Sequence, residues 1–286
     1  MKKILTVLFS VFLILALAAC GNGDNEKAGG DEGAKGGEET KKLVVGATNE
    51  PHAVILEQAK PILEEKGIDL EIKTFTKYEL INPALVDGDL DANFFQHIPY
   101  LELQIEEFDY DLVNAGGIHI EPIGIYSKKY KSLDEIEDGA TVIMSSSVPD
   151  HGRILSLFEA KGLIKLKDGI DKTAATLDDI VENPKNLEFK YDYAPDMLPT
   201  IYNNNEGDLV VINSNFALDA GLNPLEDSIA IEDEDSPYVN IIAVRKGDEN
   251  REEIKTLVEV LHSEEIQQFI LDEWEGAVVP VGGNEE

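Results

Sequence analysis

Residues 43–75 read LVVGATNEPHAVILEQAKPILEEKGIDLEIKTF, and this stretch decides the fold. Residues 43–47 form a short apolar run that predicts a buried strand, and residues 70–75 predict a second one. Between them, residues 51–65 carry apolar side chains at helical spacing and predict an amphipathic helix. A strand, a helix and a strand in this order are typical of a parallel βαβ crossover.

The same alternation continues along the chain. We expect further strands at 90–94, 118–126, 141–144, 187–191, 209–212 and 240–244. Helices are expected at 99–108, after Gly152, at 251–261 and at 264–274. The sequence therefore predicts an α/β fold whose sheets are mostly parallel and flanked by helices.

The amino-terminal segment is typical of an exported protein. Two lysines precede an apolar run over residues 4–19, which predicts a signal peptide over residues 1–19. Residues 17–20 read LAAC and resemble the lipobox of bacterial lipoproteins, which implies cleavage before Cys20 and acylation of its sulfur. We therefore expect a lipid anchor at Cys20 in the cell membrane, with the protein on the extracytoplasmic face. Cys20 is the chain's single cysteine, so no intramolecular disulfide can form.

Composition separates a tether from a folded part. Residues 20–42 are rich in Gly, Glu, Asp, Lys and Asn, and a segment of this kind buries too little apolar surface to offset its ordering entropy. We expect it to be a flexible acidic tether behind the lipidated Cys20. The formal net charge of −33 makes nucleic acid a poor partner, because its phosphates repel an acidic surface.

An α/β chain of this size behind a lipid anchor fits, by analogy, a two-lobed fold of the periplasmic-binding-protein type. Such a fold holds its ligand in the cleft between the lobes. We expect residues 43–126 to form the first part of lobe 1 and residues 127–238 to form lobe 2. Residues 239–286 would return to lobe 1 and add the carboxyl-terminal helices. We expect a monomer that needs no cofactor.

Several segments, in order, resemble the NlpA lipoprotein family over residues 43–282. They are ANFFQHIPYL (92–101), GIHIEPIG (117–124), NPK (183–185), VINSNFA (211–217), AGL (220–222), SPYVN (236–240) and GAVVP (276–280). The resemblance implies a methionine-binding lipoprotein that delivers L-methionine, or a close analogue, to an ABC permease driven by a cytoplasmic ATPase.

The first group of candidate site residues is aromatic. Residues 93–100 predict the end of a strand followed by a helix with Pro99 in its first turn, and pockets form at such carboxyl ends. Phe95, His97 and Tyr100 are therefore expected to face one cavity, and Tyr78 matches a family position on the same ligand. Aromatic rings suit a thioether, because sulfur packs against ring edges. Without the resemblance, an aromatic core cluster would be the more ordinary interpretation.

The second group is polar. The α-carboxylate of an amino acid needs a cation, and Arg153 follows Gly152 at an expected helix start, where free amide donors would help to bind it. The resemblance assigns Arg153 to the ligand's carboxylate, and Asn213 and Asn240 to hydrogen bonds with its backbone atoms. Without it, Arg153 would more ordinarily form a surface ion pair, and the asparagines would be turn or cap residues.

Some positions depart from the family pattern. SSSVPDH at 145–151 replaces a loop that usually resembles Asn-Asp-Pro-Thr-Asn, Ser214 replaces a glycine, and Phe216 replaces a common tyrosine. The run of Tyr191, Asp192 and Tyr193 also differs. These changes keep another apolar amino acid, methionine sulfoxide or a methionine-containing dipeptide open as the ligand.

Two other classes of protein are alternatives to a methionine-binding lipoprotein. A zinc- or manganese-binding lipoprotein would share the anchor, the tether and the two lobes, but the histidines at 52, 97, 119, 151 and 262 are scattered singly. We therefore predict no metal site. A secreted hydrolase is disfavoured, since the sequence has no Gly-x-Ser-x-Gly elbow and no His-Glu-x-x-His motif.

Overall fold

The computed structural model describes residues 40–233 and 236–282. The signal peptide, Cys20 and most of the predicted tether fall outside these residues. The first lobe contains β1 (Lys41–Ala47), α1 (Val54–Glu65), β2 (Ile68–Thr74), α2 (Ile81–Val86), β3 (Ala92–His97), α3 (Ile98–Phe108) and β4 (Leu112–Ile120), and later β12 (Val239–Arg245), α8 (Glu252–Leu261), α9 (Glu264–Trp274) and β13 (Val279–Pro280). The second lobe contains β5 (Gly124–Tyr126), β6 (Thr141–Ser145), α4 (Val148–Ala160), β7 (Lys165–Leu166), β8 (Ile180–Glu182), β9 (Glu188–Tyr193), α5 (Leu198–Asn203), β10 (Leu209–Ile212), α6 (Ser214–Asp219), α7 (Pro224–Asp227) and β11 (Ser228–Ile231).

The first sheet is six-stranded, in the order β13-β4-β12-β3-β1-β2. Strand β1 pairs in parallel with β2, and Leu43 lies opposite Leu70, so the βαβ unit predicted from residues 43–75 is present. Helix α1 buries Ile55, Leu56 and Leu63 in the apolar core of this lobe. The spacing of these residues places them on one face of the helix, which explains why the segment packs against the sheet.

The second sheet is five-stranded, in the order β11-β5-β10-β6-β9. Strand β6 pairs in parallel with both β9 and β10, and α4 buries Ile154, Leu155 and Phe158 in a separate core. Two large sheets, each packed between its own apolar clusters, confirm the two-lobed α/β fold. Each sheet is mixed rather than mostly parallel, because β12 in the first sheet and β5 in the second run antiparallel to their neighbours.

The strand expected at 118–126 is divided between the lobes. Strand β4 ends at Ile120 in the first sheet, whereas β5 begins at Gly124 in the second. Pro122 lies between them, and proline has no N–H to donate to a strand ladder. The chain therefore crosses between the lobes over residues 121–123, ahead of the boundary predicted at residue 126, and it returns between Ile231 and Val239.

Other element boundaries also shift from the sequence-based expectation. The helix expected from Pro51 begins at Val54, since Glu50 has extended backbone angles and residues 49–53 form a separate turn. Strand β1 begins at Lys41, inside the segment expected to be tether. Within residues 40–233 and 236–282, no helix combines the length and the apolar character that crossing a bilayer requires.

Candidate functional site

A narrow cavity lies between the two sheets. All seven predicted ligand-binding residues line it, and five residues that sequence reasoning did not select line it as well. The lining residues are Tyr78, Phe95, Gln96, His97, Tyr100, Glu121, Asp150, Arg153, Asn213, Ser214, Asn215 and Asn240.

The first lobe supplies an aromatic wall. The ring of Tyr78 lies 5.7 Å from that of Phe95 and 6.1 Å from that of Tyr100, measured between centroids. Phe216 of the second lobe closes this group with its ring 4.9 Å from Tyr78. The rings of Tyr78, Phe95 and Tyr100 both pack against one another and line the cavity, so the aromatic motif is at once a packed cluster and a cavity wall.

The end of β3 positions this wall as the sequence predicts. Strand β3 is buried along its whole length, and α3 begins directly after it with Pro99 in the first turn. The imidazole Nδ1 of His97 accepts a hydrogen bond from the backbone N–H of Tyr100 at 3.1 Å, which caps the helix. The buried amide of Gln96, which lines the cavity, and those of Asn82 and Asn93 bond to one another at 2.8–2.9 Å and fix the strand end.

Arg153 lies inside helix α4 rather than at its start. The helix begins at Val148, so the free amide donors expected beside Arg153 lie a turn earlier, and that part of the prediction is wrong. Gly152 has a packing role instead, since a Cβ on it would lie 2.4 Å from the backbone oxygens of Lys172 and Thr173.

The Arg153 guanidinium is already paired within the protein. Its Nε and Nη2 donate to Oε2 of Glu232 at 2.9 and 2.5 Å, and Nη2 also donates to the backbone oxygen of Glu121 at 2.6 Å. Burial alone would lower the pKa of Arg153, but the charge and hydrogen bonds of Glu232 outweigh it and raise the pKa. Within the described residues Nη1 makes no hydrogen bond, so it is the guanidinium nitrogen left for a ligand.

The segment at 145–151, which departs from the family pattern, brings Asp150 into the cavity. Asp150 is buried, with Oδ1 3.6 Å from Nε2 of His97 in the other lobe. Burial opposes ionisation of Asp150, but the contact with His97, the charge of Arg153 and the hydrogen bond of Ser145 together outweigh burial and hold the pKa of Asp150 below its ordinary value. The segment is braced internally, because His151 Nε2 lies 2.9 Å from the backbone oxygen of Ser145. The sequence shows an acid directly after Val148-Pro149, but it does not show that the side chain of this acid points into the cavity.

Two asparagines on either side of Ser214 face the cavity with opposite polarity. Asn213 donates through Nδ2 to Asp150 at 3.3 Å, whereas its Oδ1 is buried without a partner. Asn215 accepts through Oδ1 from the Tyr78 hydroxyl at 2.6 Å, whereas its Nδ2 is buried without a partner. Among the described residues, these two amides therefore leave one acceptor and one donor unused.

Glu121 follows β4 and lies beside two buried histidines. Its Oε1 lies 2.8 Å from Nε2 of His119 and 3.1 Å from Nε2 of His52. His52 also contacts Oδ1 of Asn240 at 3.1 Å and Oγ1 of Thr48 at 2.7 Å. Burial lowers the pKa of His52 to about 4 and that of His119 to about 3, and it raises the pKa of Glu121.

This cluster corrects the expectation that the histidines do not converge. One ligand atom from each of His52, His119 and Glu121 lies within 4.8 Å of the others, a spacing that could hold a metal ion. The same atoms also make hydrogen bonds within the protein, His119 Nε2 to Glu121 and His52 Nε2 to Asn240, whereas His119 Nδ1 is buried without a partner among the described residues. A charged residue between a buried strand and Pro122 was the sequence signal that could have found Glu121.

Two lobes, two chain crossings between them and a cavity of mixed aromatic and charged lining are typical of a two-lobed solute-binding protein. The family model described as "NlpA lipoprotein" matches residues 43–282. The chain belongs to the NlpA lipoprotein family, as the resemblance in its sequence implies.

Named relatives agree with this assignment. The chain is 49% identical over 285 residues to the methionine-binding lipoprotein MetQ of Bacillus subtilis, covering 98% of this chain and 99% of that protein. A solved structure from Enterococcus faecalis, described as a pheromone cOB1 precursor/lipoprotein of the YaeC family, is 56% identical with a TM-score of 0.82 and covers 84% of this chain and all of that one. A nutrient-binding protein from Burkholderia cenocepacia, solved bound to methionine, is 38% identical with a TM-score of 0.79 over the same shares.

Proposed function

We propose that this protein is the extracytoplasmic solute-binding lipoprotein of an ABC importer and that it binds L-methionine or a close analogue. The observation that carries the proposal is the cavity between the sheets, where residues chosen for an amino-acid ligand converge from both lobes. The methionine-bound relative from Burkholderia cenocepacia supports the choice of ligand.

The lining suits a thioether amino acid. Tyr78, Phe95 and Tyr100 would surround the side chain, where each contact between sulfur and an aromatic ring contributes about 0.3–1.5 kcal/mol. Arg153 would bind the α-carboxylate, and Asn213 and Asn240 would bond to the backbone atoms of the ligand. His97 would contribute from the end of β3. Because these groups come from both lobes, ligand would favour the closed arrangement over an open one.

The remaining roles follow from this proposal. Cys20 would carry the lipid that anchors the protein to the bilayer, and the loaded protein would meet a permease driven by a cytoplasmic ATPase. A Cys20→Ala variant should leave the membrane fraction, and retention of that variant would contradict the lipid anchor.

The proposal is tested by what the purified lipoprotein holds and rebinds. Small molecules released by denaturation are identified by mass spectrometry, and the emptied protein is titrated calorimetrically with L-methionine, methionine sulfoxide and Gly-Met. Methionine recovered and rebound most tightly supports the proposal. Tighter binding of another compound would place the change of specificity in the segment at 145–151.

A metal-binding lipoprotein is the second candidate, because His52, His119 and Glu121 converge beside the cavity. Elemental analysis of the same preparation tests it. Stoichiometric zinc or manganese without bound amino acid would favour this candidate over the first.

A further inference from the structure

Glu121 is a buried acid that the ligand assignments above leave unused. Only 5% of the residue is exposed, and it lines the cavity at the point where the chain leaves the first sheet. Its Oε1 is held by the Nε2 atoms of His119 and His52 at 2.8 and 3.1 Å. Two imidazoles on one oxygen fix the direction of the carboxylate.

Among the described residues, no lysine or arginine side chain forms an ion pair with the Glu121 carboxylate, whose neighbours within 3.1 Å are the two imidazoles. The Arg153 guanidinium bonds to the backbone oxygen of Glu121, while Oε2 of Glu232 takes its Nε and Nη2. Asp150, the other acid lining the cavity, lies against His97. A buried carboxylate is costly unless a cation neutralises it, so this position favours a positively charged ligand group.

Two unpaired amide atoms, Asn213 Oδ1 and Asn215 Nδ2, indicate how a ligand would be oriented in the cavity. Oδ1 of Asn213 is an unused acceptor that would accept from an N–H group, and Nδ2 of Asn215 is an unused donor that would bond to a carboxylate oxygen. Neither amide is free to turn over, because Asp150 holds Nδ2 of Asn213 and the Tyr78 hydroxyl holds Oδ1 of Asn215. An α-amino acid zwitterion carries both of the missing partners.

We propose that the Glu121 carboxylate binds the α-ammonium group of the ligand, with Asn213 Oδ1 as a second acceptor, while Asn215 Nδ2 shares the ligand's carboxylate with Arg153. His52 and His119 act as positioning residues for Glu121. This inference rests on the proposed function and deepens it. It restricts the ligand to compounds with a free α-amino group and adds Glu121 and Asn215 to the binding residues.

The test compares two ligands that differ in one group. Purified full-length lipoprotein in detergent is titrated calorimetrically with L-methionine and with 4-(methylthio)butanoate, which lacks the ammonium group. A charge-assisted hydrogen bond contributes about 1.5–3 kcal/mol, so Glu121→Gln should weaken methionine binding by about 10- to 100-fold. The same substitution should change the affinity for 4-(methylthio)butanoate by less than about threefold. This ligand has no ammonium group, so the substituted side chain and the missing group are not in contact and their effects should be independent.

Glu159→Gln is the matched control, because it removes an acid that pairs with Lys172 and does not line the cavity. It should leave the affinity for both ligands unchanged. Equal losses for both ligands in Glu121→Gln, or a loss of methionine binding in Glu159→Gln that matches the loss in Glu121→Gln, would overturn the inference. A parent protein that binds no L-methionine would overturn the proposed function and this inference together, whereas methionine binding without selectivity in Glu121→Gln overturns the inference alone.

The positioning role has its own test. Gln at position 119 can keep an N–H donor near that of the imidazole Nε2, whereas Phe cannot. His119→Gln should therefore preserve the preference for methionine over 4-(methylthio)butanoate, and His119→Phe should reduce it while thermal melting shows that both variants fold. The inference is contradicted if the preference is equal in the two variants, or if Zn²⁺ binds the parent stoichiometrically and His119→Phe abolishes that binding.

Discussion

The two walls of the cavity differ in chemistry. The first lobe contributes mainly aromatic rings, those of Tyr78, Phe95 and Tyr100, whereas the second lobe contributes charges and amides from Asp150, Arg153 and Asn213. The first wall suits a side chain, and the second suits the charged groups common to all amino acids. Substitutions in the second wall should therefore weaken the binding of every amino-acid ligand, whereas substitutions in the first wall should change which amino acid binds most tightly.

The largest expected effect comes from Arg153→Ala. Loss of a charge-assisted bond to the carboxylate should weaken binding of methionine and norleucine alike by about 10- to 100-fold or more. The same change leaves the carboxylate of Glu232, which is 13% exposed, without its partner. We expect the free energy of unfolding to fall by about 3 kcal/mol.

A double variant separates the two effects of Arg153. Arg153→Met with Glu232→Gln removes both charges, so it should recover most of the stability, measured by urea unfolding, without recovering binding. If Arg153→Ala binds as tightly as the parent, Arg153 does not bind the carboxylate. If it weakens only methionine and not norleucine, the division between the two walls is wrong.

The next effect concerns the histidines behind the first wall. The folded protein keeps His119 neutral until its pKa of about 3, but the unfolded chain takes up that proton near pH 6.5. The unfolded state therefore binds more protons between these values, so the free energy of unfolding falls as pH falls, by up to about 1.4 kcal/mol per pH unit for each such group. Above pH 6.5 this contribution is constant.

His119→Gln should flatten that slope between pH 6 and pH 4. Urea unfolding of the parent and the variant, at half-unit steps of pH, measures the difference. Parallel curves for the parent and His119→Gln would show that His119 is not held neutral.

A smaller effect is expected where the two walls meet. The Tyr78 hydroxyl donates to Asn215 across the lobes at 2.6 Å, so Tyr78→Phe removes one hydrogen bond and keeps the ring. Such a bond contributes about 0.5–1.5 kcal/mol, which corresponds to binding weakened by about 2- to 12-fold. Calorimetry with methionine and norleucine should show equal losses, since the bond orients Asn215 rather than the ligand's side chain. A loss confined to methionine would place the hydroxyl on the thioether.

The smallest effect should be the most selective. Tyr100→Leu keeps an apolar side chain but removes one aromatic ring, which reduces a contact with sulfur worth about 0.3–1.5 kcal/mol. Binding of methionine should weaken by about 2- to 10-fold, and binding of norleucine, which lacks sulfur, should change less. Equal changes for the two ligands would mean that the first wall recognises volume and not sulfur.

Much of the fold could be predicted because local patterns determine it. The apolar run at 209–212 and the amphipathic segment at 264–274 have the bounds expected from the sequence. The division of residues 118–126 between two sheets was missed, although Pro122 marks it. A single apolar run does not say to which sheet each half belongs.

The site was predicted in part, for a comparable reason. The seven predicted residues line one cavity. They could be predicted mainly because the sequence resembles a known family. Glu121, Asp150 and Asn215 were missed, since their importance depends on contacts across the lobes such as that between Tyr78 and Asn215, 137 residues apart. No pattern within a short window reports which way such side chains point.

Arg153 also has a mechanical consequence. Among the described residues, the chain passes between the lobes only near residues 121–123 and after Ile231, and Arg153 is bonded to Glu121 at the first passage and to Glu232 at the second. One guanidinium thus fastens both connecting segments to helix α4. We therefore expect both connecting segments to move with the second lobe when the cleft opens.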